Sequence, residues 1–186
     1  MTRLDEAPDP MTVQTRIPVP VDPIAPVLAR ETAADLHAIE QLVDAAFGPG
    51  RFAKAAERLR ETNHVLYDLS VTAKAGEALA GCVRQWPIRI GGRPAVFLGP
   101  IAVDPAWRHH GLGGALVERA CEAALAAGHD LILLVGDMPF FGPHGFEVVA
   151  PNCVVLPGPA DAHRVLARAL KPGALEGLAG KVEPGW

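Results

Sequence analysis

The chain has 186 residues and a formal net charge of −4 at pH 7, enough for one domain around a continuous core and too little to demand two. No block of like charge appears, which gives no case for a nucleic-acid or anionic-membrane partner. No run reads as a membrane span or as the apolar centre of a signal peptide. Cys82, Cys121 and Cys153 are odd in number and lack metal-ligand spacing, so they read as reduced, mostly buried thiols of a cytoplasmic protein without a metal site.

Residues 1–26 are crowded with Pro8, Pro10, Pro18, Pro20, Pro23 and Pro26. That density predicts an extended leader, or one laid on the domain through Ile17, Val19, Val21 and Ile24. The folded domain is expected over 27–186. A short strand near 27–29 precedes Thr32-Ala33-Ala34-Asp35, a capping box with Asp in place of Glu. Leu36, Ile39, Leu42, Val43, Ala46 and Phe47 then recur at helical spacing, and Gly48-Pro49-Gly50 stops the helix. A second helix is predicted over 52–60, with Arg51, Lys54, Arg58 and Arg60 as a solvated basic face.

From Val65 the period becomes two, placing Val65, Tyr67, Leu69, Val71 and Ala73 on one face of a half-buried strand. Strands over 79–90 and 95–103 follow, joined by Gly91-Gly92, and the three pair antiparallel. Pro87 marks a bend or an edge, and Gly99-Pro100 interrupts the ladder of the third strand.

That third strand leads through Asp104-Pro105-Ala106-Trp107-Arg108-His109-His110 into a helix over 111–127. Leu112, Leu116, Val117, Ala120, Cys121, Ala124 and Leu125 form its apolar face, and Gly128 caps it. A glycine-rich helix start cradles anions, because backbone N–H groups and the positive end of the macrodipole face the ligand. A P-loop would need Lys and Ser/Thr after the glycines, and a dinucleotide turn would need glycine where Leu116 stands, although Asp130 sits near the expected distance for an acid. Gly111, Gly113 and Gly114 also suit close packing of helix on sheet. Leu131–Val135 is a strand apolar on both faces, reached by a parallel crossover. Asp137 opens a short helix, Gly145 closes it, and a strand covers 146–149. Periodicity over 163–170 fits helix slightly better than strand.

Val103-x-Pro105-x-x-Arg108-x-x-Gly111-x-Gly113-x-Ala115 resembles motif A of the Gcn5-related N-acetyltransferases (GNAT). Phe140-Phe141-Gly142-Pro143-His144-Gly145-Phe146 resembles the F-Y-x-x-x-G-F segment of the same superfamily, and Lys171-Pro172-Gly173-Ala174-Leu175 is similar to the tail of its YhbS-like members. The resemblance covers about 27–170. It implies an α/β fold of the α+β kind, a mixed and mostly antiparallel sheet with splayed central strands flanked by helices. Residues 163–170 are then a strand, a C-terminal tail begins near 171, and 180–186 is loop.

The resemblance further implies acetyl-coenzyme A as donor and an amine of a small molecule or peptide as acceptor. Ile101, Ala102 and Val103 would meet the pantetheine and thioester, and Arg108, His109, His110, Gly111, Leu112, Gly113 and Gly114 the diphosphate. The family position that often carries a proton-donating tyrosine is Phe141, which has no ionisable hydrogen. His144 is the nearest titratable substitute, with Tyr67 and Cys153 more remote, and Asp137, Asp68 and His64 are candidate bases. An active transferase and a non-catalytic acyl-coenzyme A binding module both follow from this pattern. Neither nucleic acid nor membrane is expected as a partner, and the oligomeric state stays open, a homodimer included.

Overall fold

The computed structural model describes residues 25–50 and 55–185. Glycine turns and strand-forming runs build one side of a nine-stranded mixed sheet. The edge strand β1 (Val27–Arg30) pairs with β2 (Val71–Ala75), β2 with β3 (Ala78–Ile90), and β3 with β4 (Arg93–Val103), all antiparallel. Gly91 and Gly92 take φ of 56° and 84° between β3 and β4, as a two-residue hairpin of this hand requires.

α1 (Leu36–Phe47) begins after a short 3-10 turn in which Thr32 N–H and Oγ1 both donate to Asp35 Oδ2 at 2.8 Å, the expected cap. Its buried residues are Ile39 and Val43, and Gly48 ends it at φ 63°. α2 (Ala55–Arg58) falls within the helix expected over 52–60, and Leu59 and Arg60 already turn. α3 (Leu112–Ala126) packs Leu112, Leu116, Val117, Ala120, Cys121 and Ala124 on the sheet, while Leu125 stays 46% exposed because it lies about 100° round the helix from Ala124. The crossover delivers β5 (Leu131–Val135) parallel to β4. α4 (Met138–Phe141), β6 (Glu147–Val148), β7 (Val154–Val155), β8 (Val165–Ala169) and β9 (Gly180–Pro184) complete the chain. β8 pairs antiparallel with both β5 and β6, so the strand reading of 163–170 holds, with a 3-10 turn at Ala162–Arg164 leading in.

Three expectations need correction. The strand predicted from Val65 begins at Val71, because Leu69 N, Ser70 N and Ser70 Oγ all donate to Leu66 O and turn the chain. Tyr67 is 41% exposed in that turn, and Val71, Thr72 and Ala73 are all buried, so β2 is covered on both faces. The loop expected over 180–186 is β9, antiparallel to Ile88–Ile90 of β3 and parallel to β7. β2 leaves β3 after Val83, and β9 occupies the same edge of β3 beyond Pro87, so Pro87 marks the change of neighbour.

In the C-terminal tail that the domain is expected to carry from about 171, Ala174, Leu178 and Val182 are buried with Ile88, Ile90 and Ala95. Finally, Arg60 is not solvated. Its side chain is 13% exposed, its Nη1 donates to Glu57 Oε2 at 3.0 Å, and its guanidinium lies 5.6 Å from the centre of the Phe97 ring. Arg58 is exposed as expected. The leader over 1–24, Arg51, Lys54 and Trp186 lie outside the described residues.

If the C-terminal segment is core, Leu178→Ala should lower the unfolding free energy by about 2–5 kcal/mol in urea denaturation. A tail packed on nothing would change it by less than about 0.5 kcal/mol.

Candidate functional site

The site begins where two strands part. β4 and β5 pair only through Val96 with Ile132 and Phe97 with Leu133. Beyond them β4 keeps β3 alone, and even that ladder skips: Gln85 pairs with Leu98 and Val83 with Ile101, leaving Gly99-Pro100 in a bulge opposite Arg84. Trp86 Nε1 donates to Gly99 O at 2.7 Å and fixes the bulge. Ile101 and Val103 are half-buried, whereas the Ala102 side chain is buried with Ile39, Val43 and Cys82.

After β4, Asp104 Oδ1 accepts from Ala106 N at 2.9 Å and caps the turn Pro105–Trp107. Arg108 folds back so that its Nε donates to Val103 O at 3.2 Å. His110 Nδ1 lies 2.7 Å from Arg108 O, which makes it the nitrogen that carries hydrogen. His109 and Gly111 take φ of 65° and 76°. The ladder of α3 starts with Ala115 N donating to Gly111 O at 3.1 Å, so the N–H groups ahead of it head the helix beside exposed Arg108, His109 and His110.

The three glycines do different work. A Cβ at Gly111 would meet nothing within 4 Å, but its positive φ disfavours any other residue. A Cβ at Gly113 would lie 3.2 Å from Phe140 Cζ, and one at Gly114 2.8 Å from His144 Cε1. Gly113 and Gly114 therefore make room chiefly for Phe140 of α4 and for His144 just after it, which corrects the expected packing of helix on sheet.

A cavity of about 490 Å³ opens where β4 and β5 separate. Phe97, Leu98 and Ile101 line it from β4, Leu134 and Val135 from β5, and Phe47 from α1. Its charged lining is Glu57, Arg60, Asp137, Asp161 and Arg164, with Arg164 Nε 3.1 Å from Asp137 Oδ1. Phe140 and Phe141 close one side, and Phe141 packs edge-on against Phe140 and Phe146 at ring-centre distances of 4.8 and 5.6 Å. Of the residues predicted for chemistry, Asp137 and Ile101 reach this cavity.

His144 does not line it. Its Nδ1 is 2.7 Å from Glu118 Oε1, and Arg168 Nη1 donates to Glu118 Oε2 at 2.9 Å. Burial would raise the Glu118 carboxyl, but the hydrogen bonds from Arg168 and then His144 outweigh it and hold the group below the usual carboxylate range. Asp68 pairs with Arg30 at the surface, and neither it nor Tyr67, His64 or Cys153 is among the lining residues. Burial pushes the Cys82 thiol up to about 12 and the Cys121 thiol up to about 11, so neither is a nucleophile. Among the described residues no group of His, Cys, Asp or Glu is placed to hold a metal, and no helix is long and apolar enough to cross a membrane. Glu57, Arg60, Asp161 and Arg164 are charged lining residues that sequence reading missed. Arg60 had only its place in a basic run, and Arg164 carried no local signal.

Because Gly114 abuts His144, Gly114→Ala should lower the melting temperature, and adding His144→Ala should recover much of the loss. The two single variants and the double, compared by thermal unfolding, measure that coupling.

Residues 36–146 match the model of the acetyltransferase (GNAT) family. YhbS of Escherichia coli K12, described as an uncharacterized N-acetyltransferase, is 27% identical over 155 residues, which cover 82% of this chain and 92% of YhbS. The crystal structure of E. coli YhbS in complex with CoA aligns with a TM-score of 0.75 at 26% identity, over 88% of this chain and 92% of that one. A GNAT family acetyltransferase from Brucella melitensis, in complex with acetyl-CoA, shares the fold with a TM-score of 0.57 at 24% identity, over 82% of this chain and 99% of that one. With the matched stretch running from the start of α1 through the parted strands to Phe146, the chain belongs to the GNAT family of acetyltransferases.

Proposed function

We propose that this chain transfers an acetyl group from acetyl-coenzyme A to the amine of a small molecule or peptide. The observation that carries this reading is the parting of β4 from β5 just ahead of the α3 N-terminus, with a cavity at the point of separation. The CoA and acetyl-CoA in the YhbS and Brucella structures support it.

The residues present suit such a donor. The N–H groups at the head of α3, from Gly111 to Gly114, form an anion cradle that includes Leu112. Arg108 keeps its Nη groups as donors while Nε holds Val103 O, and His109 and His110 flank it. The backbone of Ile101, Ala102 and Val103 runs along the opening, where a pantetheine amide and a thioester carbonyl would find partners.

Transfer requires a neutral amine to attack the thioester carbonyl, so that a C–N bond forms and the C–S bond breaks. Asp137, on the cavity wall at the end of β5, is the carboxylate placed to take the proton that the ammonium must lose. Phe141 supplies no hydrogen to the departing thiolate. The same observation favours a second reading, a module that binds acyl-coenzyme A and does not turn it over. Loss of one acid typically costs about 10²–10⁴-fold and leaves positioning and carbonyl polarisation in place, so activity is the better supported of the two.

Gly111→Val should weaken acetyl-coenzyme A binding at least several-fold by calorimetry; space is open there but φ is 76°, so thermal unfolding is measured alongside to confirm that the variant is folded. Unchanged affinity would remove the cradle assignment. In a thiol-release assay with amine acceptors, Phe141→Tyr should raise the rate at saturating donor. His144→Ala tests the sequence-based alternative: a fall on the order of 10²-fold would make His144 the acid, and a small change would leave solvent to protonate the thiolate.

A further inference from the structure

The cavity carries charge of both signs. Among the described residues lining it are three carboxylates, Glu57, Asp137 and Asp161, and two guanidiniums, Arg60 and Arg164. A wall built to hold a polycationic amine would gather acids and leave them uncompensated. Here Arg60 answers Glu57 at 3.0 Å and Arg164 answers Asp137 at 3.1 Å. Asp161 is committed to the fold, because its Oδ1 accepts from His163 N at 2.9 Å and caps the turn that carries Arg164.

The two ion pairs differ in how readily they open. The Arg60 and Glu57 side chains are 13% and 12% exposed, so separating them would leave charge in a desolvated place. Arg164 and Asp137 are 47% and 71% exposed, and a pair that wet adds little to stability. A ligand with better-matched charges displaces it at small cost. The backbone beneath is firmly joined: Gly136 N donates to Arg164 O and Arg164 N to Asp161 O, both at 2.9 Å. Two opposite charges therefore stand side by side on a fixed rim. Apolar side chains, Phe47, Phe97, Leu134 and Phe140 among them, make up much of the remaining wall.

We infer that the acceptor is an α-amino acid with an apolar side chain, held by exchange of the Arg164–Asp137 pair. This rests on the acyl-transfer reading and specifies its acceptor. One carbon separates ammonium from carboxylate in such a molecule, which matches two protein groups that are themselves in contact. The planar Arg164 guanidinium takes the carboxylate through two N–H groups, and Asp137 takes the ammonium. The ammonium then gives one proton to Asp137, which releases it to solvent at the exposed rim, and the amine nitrogen attacks the acetyl carbon. The C–N bond forms, the C–S bond breaks with its electron pair left on sulfur, and the second nitrogen proton passes through solvent to the thiolate. The products are the N-acetyl amino acid and free thiol.

The experiment compares phenylalanine, phenylalanine amide and phenethylamine as acceptors, in wild type and in Arg164→Gln, by thiol release at saturating acetyl-coenzyme A. Wild type should prefer phenylalanine by at least about tenfold in kcat/KM. Arg164→Gln should raise KM for phenylalanine about 10- to 100-fold and close the gap to the other two. The exposed position of Arg164 makes loss of fold easy to exclude by thermal unfolding. If the acceptors that lack a carboxylate are used equally well by wild type, or if Arg164→Gln keeps the preference, the zwitterion assignment falls while acyl transfer stands. If acetyl-coenzyme A binds and none of the three is turned over, this inference falls, and the transfer reading fails with it only when a panel of small-molecule and peptide amines is also left unacetylated.

Discussion

β4 cannot serve both of its neighbours along its whole length. It is bound to β3 from Arg93 to Val103 and to β5 through two residue pairs, so its far half turns an edge toward β5 that no strand covers among the described residues. Backbone groups on such an edge must find water or a ligand. The bulge at Gly99-Pro100 sharpens the twist where the strands separate, and the Trp86 indole holds it in place. β5 does not follow, because all five of its residues pair with β8 on the other side. The opening, the cavity at its mouth and the start of α3 beyond it all descend from that one divided allegiance.

The core keeps the division rigid. Ile132 and Leu134 bury against the α3 side, and Leu131 and Leu133 bury against the cluster that includes Leu59, Ala174 and Leu178. On β3, Gln85 is fully buried, with Nε2 donating to Leu69 O at 2.6 Å and to Ala120 O at 2.9 Å. That side chain ties the 66–70 turn and the middle of α3 to the strand beside the bulge. Glu31 and Arg84 form a buried pair, with Arg84 Nη2 donating to Glu31 Oε1 at 2.6 Å, so the residue opposite the bulge is itself anchored. Burial raises the Glu31 carboxyl more than Arg84 lowers it, as expected where desolvation outweighs pairing.

What the sequence made legible was local. Thr32 with Asp35, Gly91-Gly92, Gly99-Pro100 and the apolar run of β5 each impose backbone geometry over a few residues, and each appears where it was read. The misreadings depended on distant partners. Gly180–Pro184 has no strong strand signal of its own and becomes β9 because half of one edge of β3 stands vacant after β2 departs. Alternation from Val65 looked like strand until Ser70 closed a turn on Leu66, a competition between side chain and ladder that periodicity does not register. Arg60 reads as one of several basic residues, and its place over Phe97 is set by tertiary packing alone. At the site, the motif around Gly111 marks the start of α3 but does not tell Gly111, which needs its φ, from Gly114, which makes room for His144.

Phe141 gathers these threads. Its ring is 6% exposed, wedged between Phe140 and Phe146, and a Cβ on Gly136 would run into it, so the position is filled for packing whether or not it carries a hydroxyl. A ring held that firmly keeps the shape of the cavity while losing one proton source. His144 is held by Glu118, which Arg168 holds in turn, and does not line the cavity. The exposed ionisable groups left on the cavity wall are Asp137 and Arg164 at its wet rim and Asp161, which is spent on its cap. Asp137 shares its charge only loosely with Arg164 at an exposed rim, whereas Asp161 is bound to His163 N. On the acyl-transfer reading proposed above, the ionisable wall of this cavity bears on the amine, and Phe141 offers no hydrogen to the thiolate.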